Sequence, residues 1–224
     1  KEISDQFNMN TNIKKRIYTS IILFLIVFTM LINNYFLGYF LIIISIFSIL
    51  EFIRMTMKIY SKEKIKAFLL NSFFVIYIFI FSSVFLMFSN FFHFKILLFI
   101  LLFTCIASDI GGFVFGKFFK GPKLSKISPN KTIAGSIGSI LLSSIMFIFI
   151  IYYFTKNLGL ETLMIGIITS VSCQLGDLFF SYFKRKSKLK DTGNLLPGHG
   201  GVIDRVDGIL LGMPIGFITL LLIY

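Results

Sequence analysis

The chain has few charged residues, only two cysteines and no tryptophan. The first two of these features exclude particular classes of protein or site. Charged residues make up 14% of the 224 residues, while 56% are hydrophobic. Soluble domains carry about 25% charged residues, so a soluble globular protein is excluded. The two cysteines, Cys105 and Cys173, stand far apart in apolar runs, so neither a disulfide framework nor a thiolate metal site is expected. The composition predicts an all-α, polytopic integral membrane protein.

Long apolar runs predict about seven transmembrane helices, because a bilayer core needs about 20 apolar residues in a helix. The runs lie near residues 17–36, 37–55, 68–89, 96–116, 133–154, 160–183 and 208–224. Since tryptophan is missing, tyrosines are expected to serve as the aromatic anchors at the membrane interfaces. The candidates are Tyr18, Tyr35, Tyr39, Tyr152, Tyr153 and Tyr224.

The basic residues predict the orientation of these helices. Of the 22 Lys and Arg residues, 20 fall on one side of the predicted membrane, and only Lys95 and Lys156 fall on the other. The positive-inside rule then places the N-terminus in the cytoplasm and the C-terminus outside. For the basic cluster at 54–66, a purely topological role is one of two open interpretations. In that role its side chains would also contact anionic lipid headgroups. Glu51 and Arg54, three residues apart near a helix end, are expected to form a local ion pair.

Acidic residues inside apolar runs are the first indication of chemistry. Gln174, Asp177, Ser181 and Lys184 recur at helical spacing and share one face of the sixth predicted helix. An unpaired carboxylate at Asp177 would be costly beside a bilayer, so it needs a cation. That cation is either a metal ion or the partner in a structural ion pair.

The connection that follows supplies more carboxylates. Asp191, Asp204 and Asp207 lie within it, and the last two are three residues apart. The segment Pro197–Gly201 carries His199 and has too little side chain to pack a core, so its N–H groups can approach an anion. A flexible connector is the alternative. Oxygen ligands without paired His or Cys favour Mg²⁺ over zinc.

A second cluster lies between the fourth and fifth predicted helices. Asp109 is as costly within an apolar helix as Asp177, and the nearby Gly111, Gly112 and Gly116 permit close packing or the approach of a ligand. The run Ser128–Thr132 precedes a helix, so Lys131 and Thr132 are expected at a helix N-terminus, which favours phosphate. A plain helix cap is the alternative.

These clusters all fall on the predicted cytoplasmic side, where nucleoside triphosphates are found. The residues alone therefore predict an Mg²⁺-dependent phosphoryl- or nucleotidyl-transfer enzyme at the inner face of the cell membrane, whose second substrate is a lipid phosphate. We expect a single transmembrane domain over residues 1–224, with N-terminal helices in 1–95 and catalytic, cytoplasmic-side motifs in 105–135 and 174–208. No nucleic-acid partner is expected, because no basic surface is interleaved with soluble structure.

The motifs resemble those of the CDP-diacylglycerol synthase (phosphatidate cytidylyltransferase) family. The family signature is similar to the stretch from Ser181 to Asp207, in which Lys184-Arg185, Lys190-Asp191 and His199-Gly200-Gly201 stand at the family spacing. The run Ile127–Thr132 and the run Gln174–Asp177 also resemble family elements. Two positions depart from the pattern: Gly112-Phe113 replaces an Ala-Tyr pair, and Ala134 replaces a polar residue.

The resemblance implies that CTP and phosphatidate react to give CDP-diacylglycerol and pyrophosphate. It implies a metal centre on Asp177 and Asp204, with Mg²⁺ and room for a second, monovalent cation, and a homodimer as the assembly. The catalytic candidates are Asp177, Asp204, Asp207, Asp191 and His199. The phosphate-binding candidates are Lys131, Lys184, Arg185, Lys190, Arg205, Gly200 and Gly201. Additional candidates are Asp109, Ser128, Thr132 and Ser181.

Three other functions are compatible with parts of the pattern. A CTP-dependent lipid kinase of the dolichol-kinase kind would transfer the γ-phosphoryl group instead of the cytidylyl group. An anion transporter would need charged groups open to both faces, which the one-sided distribution of basic residues argues against. An inactive scaffold would not need the full set of carboxylates.

Overall fold

A computed structural model describes residue 18 and residues 21–125, 127–129, 131–156, 159–193 and 200–223. In this part of the chain, helices account for nearly all of the structure, and the all-α prediction is confirmed. Among the residues that the structure describes, six helices are long and apolar enough to cross a membrane, and α1 is shorter. The helices are α1 (Ile21–Ile32), α2 (Asn34–Ile59), α3 (Lys64–Ser89), α4 (Phe92–Phe119), α5 (Ile133–Thr155), α6 (Leu160–Lys186) and α7 (Ile203–Ile223).

Several helix boundaries differ by a few residues from the predicted spans, and two of the differences coincide with specific side-chain contacts. The first predicted span, 17–36, is interrupted at Asn33, whose extended backbone and side chain cap α2 by accepting a hydrogen bond of 2.8 Å from the N–H of Tyr35. Asparagine competes for backbone groups in this way and favours helix starts. The last helix begins at Ile203, not at 208, and the buried carboxylate of Glu51 accepts a hydrogen bond of 2.9 Å from its first N–H. The orientation of the termini stays a prediction.

The chain forms two compact units. The first unit comprises Lys1–Asn90 with Lys186–Arg205, and the second comprises Phe91–Arg185 with Val206–Tyr224.

In the first unit, α2 packs on α3 through both apolar and polar contacts. The rings of Phe52 and Phe74 stack with centroids 4.0 Å apart, and Thr56 donates a hydrogen bond of 2.6 Å to the amide oxygen of Asn71. Most of α3 faces outward: its buried residues are Ala67, Phe74, Ile78, Phe85 and Ser89. The exposed remainder is almost wholly apolar, which is the surface that a lipid-facing helix presents.

In the second unit, small residues bring α4 and α5 close together. A methyl group added to Gly112 would lie 2.7 Å from the hydroxyl of Ser139, and one added to Gly135 would lie 2.8 Å from the carbonyl oxygen of Gly112. Small residues at such positions allow helix backbones to approach within a membrane. Of the two uses proposed for the glycines of α4, close packing is the one observed here.

Candidate functional site

The predicted site residues belong to both units, and Asp177 lies in the second. Asp177 is on α6, and its carboxylate forms an ion pair with the ammonium group of Lys131. Ser181, one turn later, donates a hydrogen bond of 3.5 Å to the same carboxylate. About a quarter of each side chain in the ion pair is exposed, so both charges remain within reach of a ligand.

The position of Lys131 is set by a folded connection between α4 and α5. Its N–H donates to the carbonyl of Ser128 (3.1 Å), and its own carbonyl accepts from the N–H of Leu124 (2.8 Å). Thr132 then caps α5, because its hydroxyl accepts a hydrogen bond of 3.1 Å from the N–H of Gly135. The helix start predicted after Ser128 is confirmed. Thr132 acts in it as a cap, and Ser128 contributes a backbone carbonyl.

Asp207, on α7, forms the second ion pair of this unit. Its carboxylate lies 3.6 Å from the ammonium group of Lys184, and both side chains are largely buried. The N–H of Gly208 donates a further hydrogen bond of 2.9 Å to Asp207. A buried carboxylate with a cation and a backbone donor is satisfied in the way that burial requires.

Three of the predicted carboxylates, Asp109, Asp177 and Asp207, belong to the second unit. Asp109 and Asp177 both interact electrostatically with Asp207. The thiol of Cys173 also donates to the carboxylate of Asp109, at 3.8 Å. The sequence placed Asp109 and Asp177 in separate clusters, and the fold joins them.

Gln174 organises the polar groups beside Asp177. Its side-chain oxygen accepts from the hydroxyl of Ser136, and its amide nitrogen donates to the carbonyl of Ser136 at 3.3 Å and to the hydroxyl of Ser170 at 3.4 Å. These contacts link α5 with α6 and fix the face of α6 that carries Asp177. Sequence analysis placed Gln174 on this face and assigned it no partners.

The first unit holds the remainder of the signature stretch. Asp204, in the first turn of α7, accepts hydrogen bonds of 2.9 Å from the N–H groups of Thr192 and Gly201. Gly200 has φ +82°, and a side chain there would lie 2.8 Å from the carboxylate of Asp204. Glycine is therefore required for both conformation and space. Asp191 is exposed, and His199 lies outside the described residues.

Glu51 is the residue that sequence reasoning missed. It is buried in α2, with 8% of its surface exposed. Its carboxylate accepts hydrogen bonds from the hydroxyl of Thr192 (2.6 Å) and from the N–H groups of Val202 and Ile203 (2.9 Å each). These are among the N–H groups that a helix start leaves without partners.

The expected ion pair of Glu51 with Arg54 is absent among the residues that the structure describes, and that prediction is wrong. Three buried donors satisfy the carboxylate better than one exposed guanidinium would. The signal was present in the sequence, because Glu51 interrupts an apolar run as Asp109 and Asp177 do.

The predicted phosphate-binding residues differ in how freely they can meet a ligand. Lys131 and Lys184 are held by carboxylates, whereas Arg185, Lys190 and Arg205 are exposed. Arg205 follows Asp204 in the first turn of α7, and its N–H donates to the carbonyl of Val202 at 2.9 Å. The described part of the site thus carries both held and exposed cations.

The carboxylates fit Mg²⁺ only if a substrate completes its coordination. Within the described ranges, no group of three or more His, Cys, Asp or Glu side chains forms a metal cage. Mg²⁺ is commonly held by one or two carboxylates together with substrate phosphates and water. Asp177 and Asp204 have the right donor chemistry for such a site, and their sharing of one ion stays a prediction.

The comparisons with known proteins all indicate similarity to cytidylyltransferases. A family model described as "Cytidylyltransferase family" matches residues 12–223. The chain is 43% identical over 130 residues to the phosphatidate cytidylyltransferase of Rickettsia bellii, covering 53% of this chain and 55% of that protein. It is 43% identical over 110 residues to that of Staphylococcus haemolyticus, covering 48% and 42%. The enzyme of the same name from Helicobacter pylori is 38% identical over 112 residues, covering 50% and 42%. The chain spans about half the length of the curated relatives it matches.

Proposed function

Because the chain belongs to the cytidylyltransferase family, we propose that it transfers the cytidylyl group of CTP to phosphatidate. The products are CDP-diacylglycerol and pyrophosphate. The observation that carries this proposal is how the acids of the signature stretch Ser181–Asp207 and Asp177 are held. In the second unit, Asp177 and Asp207 are paired with lysines. In the first unit, Asp204 accepts hydrogen bonds from backbone N–H groups. The similarity to proteins named phosphatidate cytidylyltransferase supports the choice of substrates.

The chemistry requires no covalent intermediate on the protein. A phosphate oxygen of phosphatidate attacks the α-phosphorus of CTP, the new P–O bond forms, and the bond to the β-phosphate breaks to release pyrophosphate. Positioning and charge stabilisation supply most of the catalysis in such transfers. Bound Mg²⁺, held by Asp177 and Asp204, would neutralise the triphosphate and the departing pyrophosphate.

The basic residues of the site then bind phosphate oxygens. Lys131 and Lys184 already lie beside carboxylates, so their ammonium groups are held in the site before substrate arrives. The exposed side chains of Arg185, Lys190 and Arg205 supply further positive charge for a polyphosphate. Asp207 holds the ammonium group of Lys184 in place, and His199 is proposed to donate a hydrogen bond to a phosphate.

The six long apolar helices make this a multi-pass membrane protein. We place it in the inner membrane of the cell with the site facing the cytoplasm, because 20 of the 22 basic residues fall on one predicted side. CTP reaches the site from that side, and phosphatidate reaches it from the bilayer. A homodimer is the proposed assembly.

The test is a product analysis with the purified full chain in detergent. CTP labelled at the α-phosphate, phosphatidate and Mg²⁺ should yield labelled CDP-lipid and equal amounts of pyrophosphate. Omission of phosphatidate or addition of EDTA should stop both. Release of CDP together with an extra phosphate on the lipid would instead show a CTP-dependent lipid kinase, and the proposal would fail.

A further inference from the structure

A cavity of about 320 Å³ lies in the first unit, beside the signature loop but lined in part by α2. Its walls are formed by Arg54, Lys58, Leu189, Asp191, Thr192 and Gly193. Small-molecule sites start at about this volume, so the cavity has room for a phosphate or diphosphate group. Neither Arg54 nor Lys58 belongs to the motifs on which the proposed function rests.

Glu51 holds the helix face that carries the two basic residues against the loop. Residues 51, 54 and 58 share one face of α2, since they are spaced by three and four positions. The carboxylate of Glu51 accepts hydrogen bonds from Thr192 and Val202, so this face of α2 is held against the loop. Arg54 and Lys58 therefore line the cavity because of a buried anchor on the same helix face.

The cations of the cavity have no partner among the residues that the structure describes. Neither Arg54 nor Lys58 forms an ion pair or hydrogen bond there, and the same holds for the carboxylate of Asp191. Two cations facing one carboxylate leave the cavity with an excess of positive charge. A guanidinium group beside an ammonium group is well suited to phosphate, because arginine binds it in a bidentate manner.

We propose that Arg54 and Lys58 form a phosphate-binding subsite for a phosphorylated substrate of the transferase. This inference rests on the proposed function for the identity of the substrate, but the binding itself does not depend on turnover. The phosphate belongs either to the nucleotide polyphosphate or to the headgroup of phosphatidate. The carboxylate of Asp191, in the wall of the cavity, repels a bound phosphate and thereby limits its affinity.

The experiment measures binding of pyrophosphate to the full chain in detergent by isothermal titration calorimetry, without divalent cations. Arg54→Gln and Lys58→Gln should each weaken binding by about tenfold, the loss expected for one charge-assisted hydrogen bond. Asp191→Asn should tighten binding severalfold, because it removes a like charge. The matched control is Lys62→Gln, which removes an exposed charge in the turn after α2 and lies outside the cavity; it should change binding less than twofold.

Equal losses in Arg54→Gln, Lys58→Gln and Lys62→Gln would show a general attraction of anions to the basic surface and would overturn the subsite. Unchanged binding in the first two variants would overturn it as well. A weakened Asp191→Asn would contradict the assigned role of that carboxylate. Thermal unfolding of each variant in detergent separates loss of fold from loss of binding.

Two further measurements identify the source of the phosphate. Titration with CTP, and with mixed micelles of phosphatidylcholine and phosphatidate, shows which ligand loses affinity in Arg54→Gln. Binding to phosphatidylglycerol micelles that falls by the same amount would overturn the subsite in favour of a lipid-surface contact. A protein that binds pyrophosphate through Arg54 but makes no CDP-lipid would contradict only the transferase proposal. If the protein makes CDP-lipid but its Arg54→Gln and Lys58→Gln variants bind pyrophosphate normally, only the subsite proposal is contradicted.

Discussion

The acidic residues of the two units are satisfied in different ways. In the first unit, Glu51 and Asp204 accept hydrogen bonds mainly from backbone N–H groups of the signature loop and of α7. In the second unit, Asp177 and Asp207 are paired with the ammonium groups of Lys131 and Lys184. Backbone donors are fixed by the fold, whereas a lysine side chain can turn to another anion. The first arrangement therefore shapes the loop, and the second leaves charges that a substrate can recruit.

The largest expected effect comes from Asp177→Asn. If the carboxylate serves chemistry, its loss should lower kcat by about a hundredfold or more, which corresponds to several kcal/mol of transition-state stabilisation. The fold should survive, because Lys131 is partly exposed and can be solvated. Measurement of kcat at saturating Mg²⁺ and of thermal unfolding checks both points.

The control for Asp177→Asn is Glu161→Gln, which removes an exposed carboxylate from the first turn of the same helix. It should leave kcat unchanged. If Asp177→Asn turns over at a near-normal rate, the ion pair of Asp177 with Lys131 is only structural. Asp177 is then not a metal ligand.

Glu51→Ala should produce the next largest effect, and it should act on stability first. The change leaves three donors without an acceptor, and each buried unsatisfied group costs about 1–3 kcal/mol. We expect a lower Tm and a lower kcat, because the loop that carries Asp191 and Asp204 loses its anchor. Glu51→Gln keeps one acceptor oxygen and should recover part of both.

Glu63→Gln is the comparison for Glu51, since Glu63 forms an exposed ion pair with Lys66. Such surface pairs contribute little to stability. If Glu51→Ala and Glu63→Gln lower Tm equally, the anchoring role of Glu51 is wrong.

A smaller effect is expected for Lys131→Ala. Loss of the ammonium group should raise KM for CTP or phosphatidate by about tenfold, the contribution of one charge-assisted hydrogen bond to phosphate. Lys131→Arg should recover much of this affinity. Lys123→Ala, an exposed residue of the same connection, is the matched control. If KM is unchanged in Lys131→Ala, Lys131 does not bind substrate phosphate, and the helix start at Thr132 is only a structural cap.

Replacing single exposed lysines with cysteine should have the smallest effect on function. These variants test the topology directly. Lys188→Cys in the first unit and Lys120→Cys in the second should react with a membrane-impermeant thiol reagent only after the cytoplasmic face is opened. Lys156→Cys should react from outside in sealed cells. If Lys188→Cys and Lys120→Cys are labelled from opposite faces of the membrane, the basic residues of the two connections lie on different sides. That result would contradict a common site.

The sequence predicted the helices well where apolar runs end in charged or polar residues. The fifth and sixth spans, predicted at 133–154 and 160–183, correspond to Ile133–Thr155 and Leu160–Lys186. The start of α7 was predicted too late, because it depends on the carboxylate of Glu51, about 150 residues earlier in the chain. Local pattern carries no information about such a distant partner.

The candidate site shows the same limit. The cost of burying charge identified Asp109 and Asp177 from their positions inside apolar runs, and the acids of the signature stretch were identified by their nearness in the connection that follows. Their partners followed from tertiary packing: the pair of Lys131 with Asp177 joins a connection to a helix 46 residues later. Glu51 has an arginine three positions later, which suggests a local partner, whereas its actual partners lie more than 140 residues away in the chain.

The anchoring of the signature loop by Glu51 also constrains the order of events during synthesis. Its partners Thr192 and Ile203 follow it by 141 and 152 residues. At translation rates of about 5–20 residues per second, some 8–30 s separate the synthesis of Glu51 from that of its last partner. During this time, a carboxylate in an apolar helix lacks the donors that later satisfy it. We therefore expect the part of α2 that carries Glu51 to stay in contact with water until Ile203 has been synthesised.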